Sequence, residues 1–295
     1  AEVDGNMIKF TIPDNAHPGN AVIAVKDASG TILWSWHIWV IEYDPIATQQ
    51  KYISGAIMMD RNLGALVIAD YDPRTYGLLY QWGRKDPFVN FMDYCTMAKT
   101  NPHGIHASGD YYSYDYSISN PTISLVGKDW NQGEFWSPHK TIYDPCPAGY
   151  RVANNDIWKG FTKTGSSLWG EFDQYNVESV DRKGWYFLYD GSHSTYYPST
   201  WFIGIDGNSM DESYVTMWAS TSYNSTRSNA FRAYYYTESD SHVYPVDHYE
   251  DKTVGHMVRC MKDNVKSDLL IKITGITNTT STSAQVNARI ITYNG

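Results

Sequence analysis

The chain has 295 residues and a formal net charge of −9, with 42% hydrophobic and 19% charged residues. This length exceeds the roughly 100–150 residues of a common single domain, and the composition is that of a globular chain rather than a disordered one. The negative charge argues against nucleic acid or an anionic lipid surface as partner, because basic patches bind both. No stretch approaches the roughly 20 apolar residues of a membrane-spanning helix, so we expect no direct membrane span.

Residues 1–45 are predicted to form strands and tight turns. The runs Val22–Lys26 and Thr31–Ile41 flank the turn sequence Asp27–Gly30, a pattern typical of a β-hairpin. Alternate residues of the second run form one face that is almost entirely apolar. Because a lone hairpin is only marginally stable in water, we expect this one to be the C-terminal hairpin of a β-sandwich-like module.

Residues 46–263 consist of short apolar runs separated by polar loops that are rich in Gly and Asn. Helical periodicity is weak, with short helices predicted near Asn155–Phe161 and near Leu168–Tyr175. This pattern predicts an α+β domain in which strands dominate. The predicted strands are Ala56–Asp60, Trp185–Tyr189, Trp201–Ile205, Thr216–Ser220, Ala230–Tyr236 and Met257–Met261.

Residues 264–295 begin with a polar linker and continue with two runs in which apolar and polar residues alternate, Leu269–Ile276 and Ser283–Thr292. The pattern predicts the first hairpin of a fibronectin- or Ig-like β module. The sequence therefore predicts a central domain that is flanked by two partial β-sandwich hairpins.

Aromatic residues are unusually frequent, since the chain has 25 Tyr and 11 Trp but only 9 Phe. Tyr and Trp combine a large apolar ring with a polar group, which suits half-buried binding surfaces as well as packing. We expect most of them to serve packing, because aromatic side chains fill cores more often than they contact ligands.

Five short segments stand out in the central region. They are Met59–Ala65 (MDRNLGA), Tyr76–Phe88 (YGLLYQWGRKDPF), Tyr143–Val152 (YDPCPAGYRV), Trp218–Thr221 (WAST) and Met257–Asp263 (MVRCMKD). In this order and at these spacings they resemble the Fibrobacter succinogenes major paralogous domain family, which is similar in fold to C-type lectins and to formylglycine-generating sulfatase modifiers. The resemblance covers residues 52–263 and implies a C-type-lectin-like domain with long loops and few short helices.

The resemblance also implies an exported protein at the bacterial outer-membrane surface, as among cell-surface lipoproteins and fimbria-associated adhesins. Such proteins often carry β modules on either side, which fits the two predicted hairpins. The expected function is non-enzymatic adhesion or binding of a glycan or a surface protein, with no cofactor. Two alternatives stay open: an enzyme on the same fold, either a cysteine-dependent oxidase or a glycoside hydrolase, and a purely structural spacer.

One stretch departs from the family pattern. Family members tend to have Pro-Thr and an acidic residue before a Trp, whereas this chain has Ala153–Trp158 (ANNDIW). Asn154 or Asn155 can still cap the predicted helix by accepting a backbone N–H, so we expect the helix to form.

Three cysteines, Cys95, Cys146 and Cys260, allow one disulfide and one spare thiol. Cys146 and Cys260 each lie in a segment that matches the family, so the resemblance implies that they are paired. Such a bond closes a loop of ~115 residues and stabilises the fold by ~4–5 kcal/mol in the chain-entropy model. The alternative is two buried free thiols, and Cys95 is predicted to be unpaired and half-buried.

The segment Tyr80–Pro87 mixes aromatic and charged residues. In one interpretation, Arg84 and Asp86 line a polar ligand site beside Trp82. In the other, Trp82 fills the core and Arg84 pairs with a carboxylate to fix the loop. We favour the second, because the motif belongs to the fold rather than to a ligand.

The segment Trp218–Asn229 lies where a lectin-like fold places its ligand-facing loop and strand. It offers aromatic rings that can stack on sugar C–H surfaces, and short polar groups that can pair with hydroxyls. The alternative is a loop whose Ser and Asn side chains satisfy its own backbone. The predicted ligand-binding residues are Trp218, Ser220, Tyr223, Asn224, Arg227 and Asn229.

No metal site is predicted, although two clusters contain histidine and acidic residues. Both are interpreted as solvated loops, where the side chains are not aligned for a metal. The acidic run Asp206–Glu212 does not fit an EF-hand and is interpreted as a turn. The clusters are His103, His106 and Asp110, and His242, Asp247, His248, Glu250 and Asp251.

Overall fold

The computed structural model describes residues 2–4, 7–13, 16–90, 104–106, 114–125, 135–170, 172–205, 209–264, 269–277 and 285–292. For residues 2–4, 7, 104–106, 209–213, 269–277 and 285–292 it describes the backbone alone. The described residues form an α+β structure in which strands dominate and the helices are short, so the predicted fold class is confirmed.

The secondary structure consists mainly of short strands. The strands are β1 Glu2–Asp4, β2 Met7–Lys9, β3 Gly19–Lys26, β4 Ile32–Val40, β5 Gln50–Lys51, β6 Ile57–Met58, β7 Leu79–Gln81, β8 Gly104–His106, β9 Ile123–Leu125, β10 Tyr150–Val152, β11 Leu168–Gly170, β12 Val177–Asp181, β13 Gly184–Leu188, β14 Ser194–Pro198, β15 Thr200–Ile203, β16 Ser209–Ser222, β17 Arg227–Thr237, β18 Asp240–Asp251, β19 Gly255–Met257, β20 Cys260–Lys262, β21 Leu269–Thr277 and β22 Gln285–Thr292. The helices are α1 Tyr114–Ser119 and the 3₁₀ segments Pro73–Thr75, Asn155–Phe161 and Phe172–Gln174.

A seven-stranded sheet in the order β11-β18-β17-β16-β15-β19-β7 forms the centre of the molecule. Its three long strands, β16, β17 and β18, pair antiparallel and make most of its surface. Two smaller sheets accompany it, β10-β20-β6-β5 and β12-β13-β14. The strand pairs β1-β2, β3-β4 and β21-β22 are antiparallel, and β8-β9 is parallel.

One face of the seven-stranded sheet packs on an aromatic core. Alternate residues of β16 and β17, such as Met217 and Phe231, meet residues from β13, β14 and the 3₁₀ helix Asn155–Phe161. The rings of Phe161 and Phe187 stack with centroids 4.2 Å apart. Most of these rings are buried, so the aromatic excess largely serves packing, as the composition predicts.

The other face of the same sheet is covered at one end by a second core. Trp218 and Trp82 are fully buried there, next to the disulfide between Cys146 and Cys260. The Cα atoms of the two cysteines are 5.8 Å apart, and both side chains are buried. The disulfide implied by the family resemblance is thus confirmed. Towards the β11 edge this core ends, and the described residues on this face are half-buried or exposed.

The hairpin β3–β4 is present as predicted and contacts the central region through a buried polar cluster. Ser35 Oγ donates a hydrogen bond to Asp86 Oδ1 at 2.5 Å, and Lys85 Nζ donates to the Ser35 carbonyl at 3.0 Å. The Lys85 and Asp86 side chains also form an ion pair at 2.8 Å. The proposed domain boundaries at residues 45 and 263 stay predictions.

The structure corrects two of the predicted elements. The run Met257–Met261 is divided, because the chain passes from β19 in the seven-stranded sheet to β20 in the four-stranded sheet. The predicted helix Leu168–Tyr175 is wrong: strand β11 pairs with β18, and the 3₁₀ segment Phe172–Gln174 follows it.

The predicted short helix Asn155–Phe161 is a 3₁₀ helix that begins after Asn154, but the Asn154 side chain does not cap it. Asn154 Oδ1 instead accepts hydrogen bonds from Arg151 Nη1 at 2.7 Å and from Ser220 Oγ at 3.2 Å. The expected capping role is therefore wrong, and Asn154 connects this helix to β10 and β16.

Candidate functional site

Two of the six predicted ligand-binding residues lie inside the protein. Trp218 is 0% exposed, and its indole Nε1 donates to the Tyr80 carbonyl at 2.7 Å. Ser220 is 1% exposed, and its backbone N–H donates to the Ala153 carbonyl at 2.7 Å. The prediction fails for these two residues, because the strand alternation turns Trp218 toward the second core and Ser220 packs against the chain that precedes the 3₁₀ helix.

The turn between β16 and β17 satisfies its own backbone. Asn224 Oδ1 accepts hydrogen bonds from the backbone N–H groups of Thr226 at 2.9 Å and Arg227 at 2.8 Å. Asn229 Nδ2 donates to the Thr221 carbonyl at 3.3 Å. These contacts match the alternative interpretation of the segment, in which its polar side chains hold the loop.

We call Ser222–Asn229 the hairpin tip. Its exposed surface carries one aromatic pair. Tyr223 is 55% exposed and stacks on Tyr249, with ring centroids 4.3 Å apart and planes 5° apart. Arg227 Nε lies 3.1 Å from Asp251 Oδ1. The exposed Tyr223 and Arg227 of the tip are therefore already engaged with residues of the neighbouring strand β18.

A larger aromatic surface lies on the open part of the seven-stranded sheet. Four aromatic residues, one from each of four adjacent strands, are in direct register: Trp169 with His242, His242 with Tyr234, and Tyr234 with Tyr214. Residues in register point to the same face of a sheet, so the four rings form a line across the strands. We call this line the aromatic row.

The rings of the aromatic row are in contact along its length. The centroid distances are 4.3 Å for Trp169–His242, 5.9 Å for His242–Tyr234 and 4.6 Å for Tyr234–Tyr214. Trp169 is 72% exposed, and the other three are half-buried. Tyr236, 55% exposed, stacks beside Tyr234 at 6.3 Å and widens the surface.

The local sequence explains how the row forms. In β17 and β18, every second residue faces the aromatic core, for example Ala233 and Val243. Their neighbours Tyr234 and His242 therefore face outward. β11 then adds Trp169 at the edge of the sheet, opposite His242.

Hydrogen bonds fix the ring of His242. Its Nε2 lies 3.0 Å from Asp240 Oδ1, and its Nδ1 lies 3.0 Å from the Tyr244 hydroxyl. A carboxylate can only accept, so Nε2 carries the proton toward Asp240, and in the neutral ring Nδ1 accepts from the phenol. Asp240, His242 and Tyr244 alternate along β18, which places all three on the face of the row.

A charged cluster supports the row beside Tyr214. The Arg232 guanidinium carbon lies 3.8 Å from the centre of the Tyr214 ring, and its Nη1 is 3.0 Å from Glu250 Oε1. His248 Nε2 lies 2.9 Å from the same carboxyl oxygen. Burial opposes ionisation of Glu250, but the hydrogen bond from His248 and the charge of Arg232 outweigh it and lower the pKa of Glu250 to about 2.

His256 lies within the sheet near this cluster. Its ring is packed between Trp218 and Phe202, with centroids 4.9 and 5.2 Å away. Burial lowers the pKa of His256 to about 3, so the ring is neutral at physiological pH.

Trp82 and Arg84 of the Tyr80–Pro87 motif are buried and make hydrogen bonds that hold neighbouring segments in place. Trp82 Nε1 donates to the Ala219 carbonyl at 2.8 Å. Arg84 is 1% exposed and donates to the carbonyl oxygens of Asn120, Pro121 and Ile123, so it holds the end of α1 through carbonyls and not through the expected carboxylate.

Several predicted residues lie outside the described part of the chain. They are the metal-site candidates His103, Asp110 and residues 206–208, the side chains of His106 and residues 209–212, and the predicted free thiol Cys95. The cluster His242–Asp251, interpreted from sequence as a loop, is strand β18. Among the described side chains, no group of three or more His, Cys, Asp or Glu residues is arranged to hold a metal ion.

Sequence reasoning missed the aromatic row. The pattern that indicates it is the alternation at Arg232–Tyr236 and at Asp240–Tyr244. Aromatic and polar residues at every second position are typical of a half-buried strand. The sequence instead predicts a loop for the cluster His242–Asp251 and a helix that contains Trp169. Both errors separated residues that the sheet brings together.

Comparison of the chain with family models, with curated proteins and with solved structures gave no match. Within the described part of the chain, no helix combines the length and apolarity that crossing a membrane requires.

Proposed function

We propose that this chain is a non-enzymatic ligand-binding domain of an exported bacterial surface protein, and that the aromatic row binds glycan. The proposal includes the C-type-lectin-like fold implied by the five sequence motifs. The observation that carries it is the line of four contacting rings on one sheet face, three of them half-buried and the fourth, Trp169, 72% exposed. Large exposed aromatic rings are the groups that stack on the C–H faces of sugars.

The polar groups beside the rings support the same function. Asp240 and Tyr244 lie next to His242 on the same face, where a carboxylate and a phenol can pair with sugar hydroxyls. The rings and these groups are held by hydrogen bonds and by sheet register, so binding requires little ordering of side chains.

The disulfide argues against one of the enzyme alternatives. A cysteine-dependent oxidase of the related formylglycine-generating type uses a reactive pair of cysteines near the C-terminal end of its domain. Cys260 is the cysteine near that end here, and it is bonded to Cys146. A bonded sulfur has no thiolate to act as nucleophile.

A glycan array followed by calorimetric titration tests the proposal with four single variants. Trp169→Ala and Tyr234→Ala are expected to weaken binding about tenfold, since each removes one stacking ring. Tyr223→Ala removes the aromatic pair of the hairpin tip, and Tyr71→Ala, at 56% exposure, is the matched control on another surface. Both are expected to bind like the unchanged protein.

Two outcomes contradict the proposal. One is an array on which no glycan binds. The other is binding that survives Trp169→Ala and Tyr234→Ala but is lost with Tyr223→Ala, which would move the site to the hairpin tip. Thermal unfolding of each variant separates a loss of binding from a loss of folding.

A further inference from the structure

The geometry of the aromatic row points to a more specific ligand, and this inference rests on the proposed function. We infer that the row takes a single, unbranched chain of neutral hexopyranoses, laid across the strands, rather than the flat face of a crystalline polysaccharide or a polyanionic glycan.

The direction of the bound chain follows from the register. The row crosses β11, β18, β17 and β16, so it covers three inter-strand steps, or roughly 14 Å. A ligand must lie across the strands, with successive sugars over successive rings, to contact all of them. A short linear oligosaccharide has this shape, whereas a branched one places side chains against the half-buried rings of His242 and Tyr234.

The angles between the rings exclude a flat ligand. Neighbouring ring planes are inclined by 37° at Trp169–His242, 60° at His242–Tyr234 and 43° at Tyr234–Tyr214. The twist of the sheet, roughly 20–25° between adjacent strands, is already included in these angles. A rigid crystal face can therefore lie flat on one ring at a time, while a free chain can rotate at each glycosidic bond and follow the row.

The charges beside the row favour a neutral ligand. The Asp240 side chain is 46% exposed and pairs with His242 in the middle of the row. Arg232, the cation beside Tyr214, is already paired with Glu250 at 3.0 Å. The formal net charge of the chain is −9. A sulfated or uronic acid chain would bring further negative charge to this surface, with no gain from Arg232.

Calorimetric titration with neutral oligosaccharides of increasing length tests the inference. The probes are cello- and malto-oligosaccharides of two to six units. For the series that binds, we expect affinity to rise by roughly three- to tenfold for each further ring contacted and then to level off. In Trp169→Ala, which removes the end of the row, the plateau should come at a shorter chain. In Tyr223→Ala the plateau should not move.

Two further probes compare the neutral chain with a charged oligosaccharide and with a crystalline polysaccharide. An oligogalacturonate of six units should bind at least tenfold more weakly than the neutral hexamer at low salt, and insoluble crystalline cellulose should not retain the protein. Retention on cellulose without a length dependence, or stronger binding of the oligogalacturonate, overturns the inference but leaves glycan binding by the row intact. The absence of binding to every probe and to the glycan array overturns the proposed function together with the inference.

Discussion

The hairpin tip and the aromatic row contain similar residues but present them differently. At the tip, Asn224 binds its own turn, and Tyr223 stacks on Tyr249 of the neighbouring strand β18, so these groups already have partners within the protein. In the row, the rings are in contact across four strands; Tyr214, Tyr234 and His242 are half-buried, and Trp169 is 72% exposed. The comparison shows that the type of residue does not identify a binding surface. A binding surface forms where strand register places the side chains side by side. It does not form where the same side chains make the hydrogen bonds that hold a loop.

The two surfaces also lie on opposite sides of the sheet. Tyr249 pairs with Asn229, and its neighbour His248 pairs with Ala230. Successive residues of a strand point to opposite faces, so Tyr249 faces away from the side of the row. The two surfaces can therefore be altered independently, and variants of one serve as controls for the other.

The largest effect is expected from removing the disulfide in the second core. Replacing both cysteines, Cys146→Ala with Cys260→Ala, should lower the free energy of unfolding by ~4–5 kcal/mol, because the bond closes a loop of about 115 residues. Urea denaturation measures this change. A loss below roughly 1 kcal/mol would show that the second core holds without the bond.

Tryptophan variants distinguish a residue that packs in the core from a residue on the surface. Trp218→Ala should destabilise the protein by ~3–5 kcal/mol, because it empties a fully buried site. Trp169→Ala should change stability by less than ~0.5 kcal/mol, since the side chain is mostly exposed. Equal losses for the two variants in thermal and urea unfolding would contradict the assignment of Trp169 to the surface.

Acid is expected to weaken the end of the row beside Tyr214. The pKa of Glu250 is lowered from 4.5 to about 2 in the folded protein. This carboxyl therefore contributes stability above pH ~4.5, and the contribution, on the order of 3 kcal/mol, is lost as pH falls toward 2. Unfolding measured between pH 5 and pH 2 should show a shallower loss in Glu250→Gln, and an unchanged slope would contradict this role.

A smaller loss of stability than in the disulfide and Trp218 variants is expected at the turn of the hairpin tip. Asn224→Ala removes two hydrogen bonds to backbone N–H groups and should cost ~1 kcal/mol of stability. Glycan affinity should stay within about twofold of the unchanged protein. A large loss of affinity without a loss of stability would return the binding site to the tip.

The features that the sequence predicted depend on local patterns or on the family resemblance. Alternation predicted the hairpin β3–β4, and the matching segments implied the Cys146–Cys260 bond. The long strands β16 and β17 were partly predicted, because their apolar residues recur at every second position.

The features that the sequence did not predict depend on tertiary pairing. The segment at Trp169 has a composition that suits a helix or a strand, and only its pairing with β18 decides between them. Strand β18 is rich in polar residues, and the sequence therefore predicts a loop for its part His242–Asp251. The burial of Trp218 was also not visible, because it depends on the second core that the disulfide closes.

Tryptophan fluorescence during titration with the hexasaccharide that binds tests the central claim most directly. Trp169 is 72% exposed while Trp82, Trp136, Trp158, Trp185 and Trp218 are fully buried, so a sugar that covers the row should shift the emission to shorter wavelength through Trp169. We expect this shift in the unchanged protein and in Tyr223→Ala, and its loss in Trp169→Phe. A shift that persists in Trp169→Phe and disappears in Tyr223→Ala would contradict the assignment of the binding surface to the aromatic row.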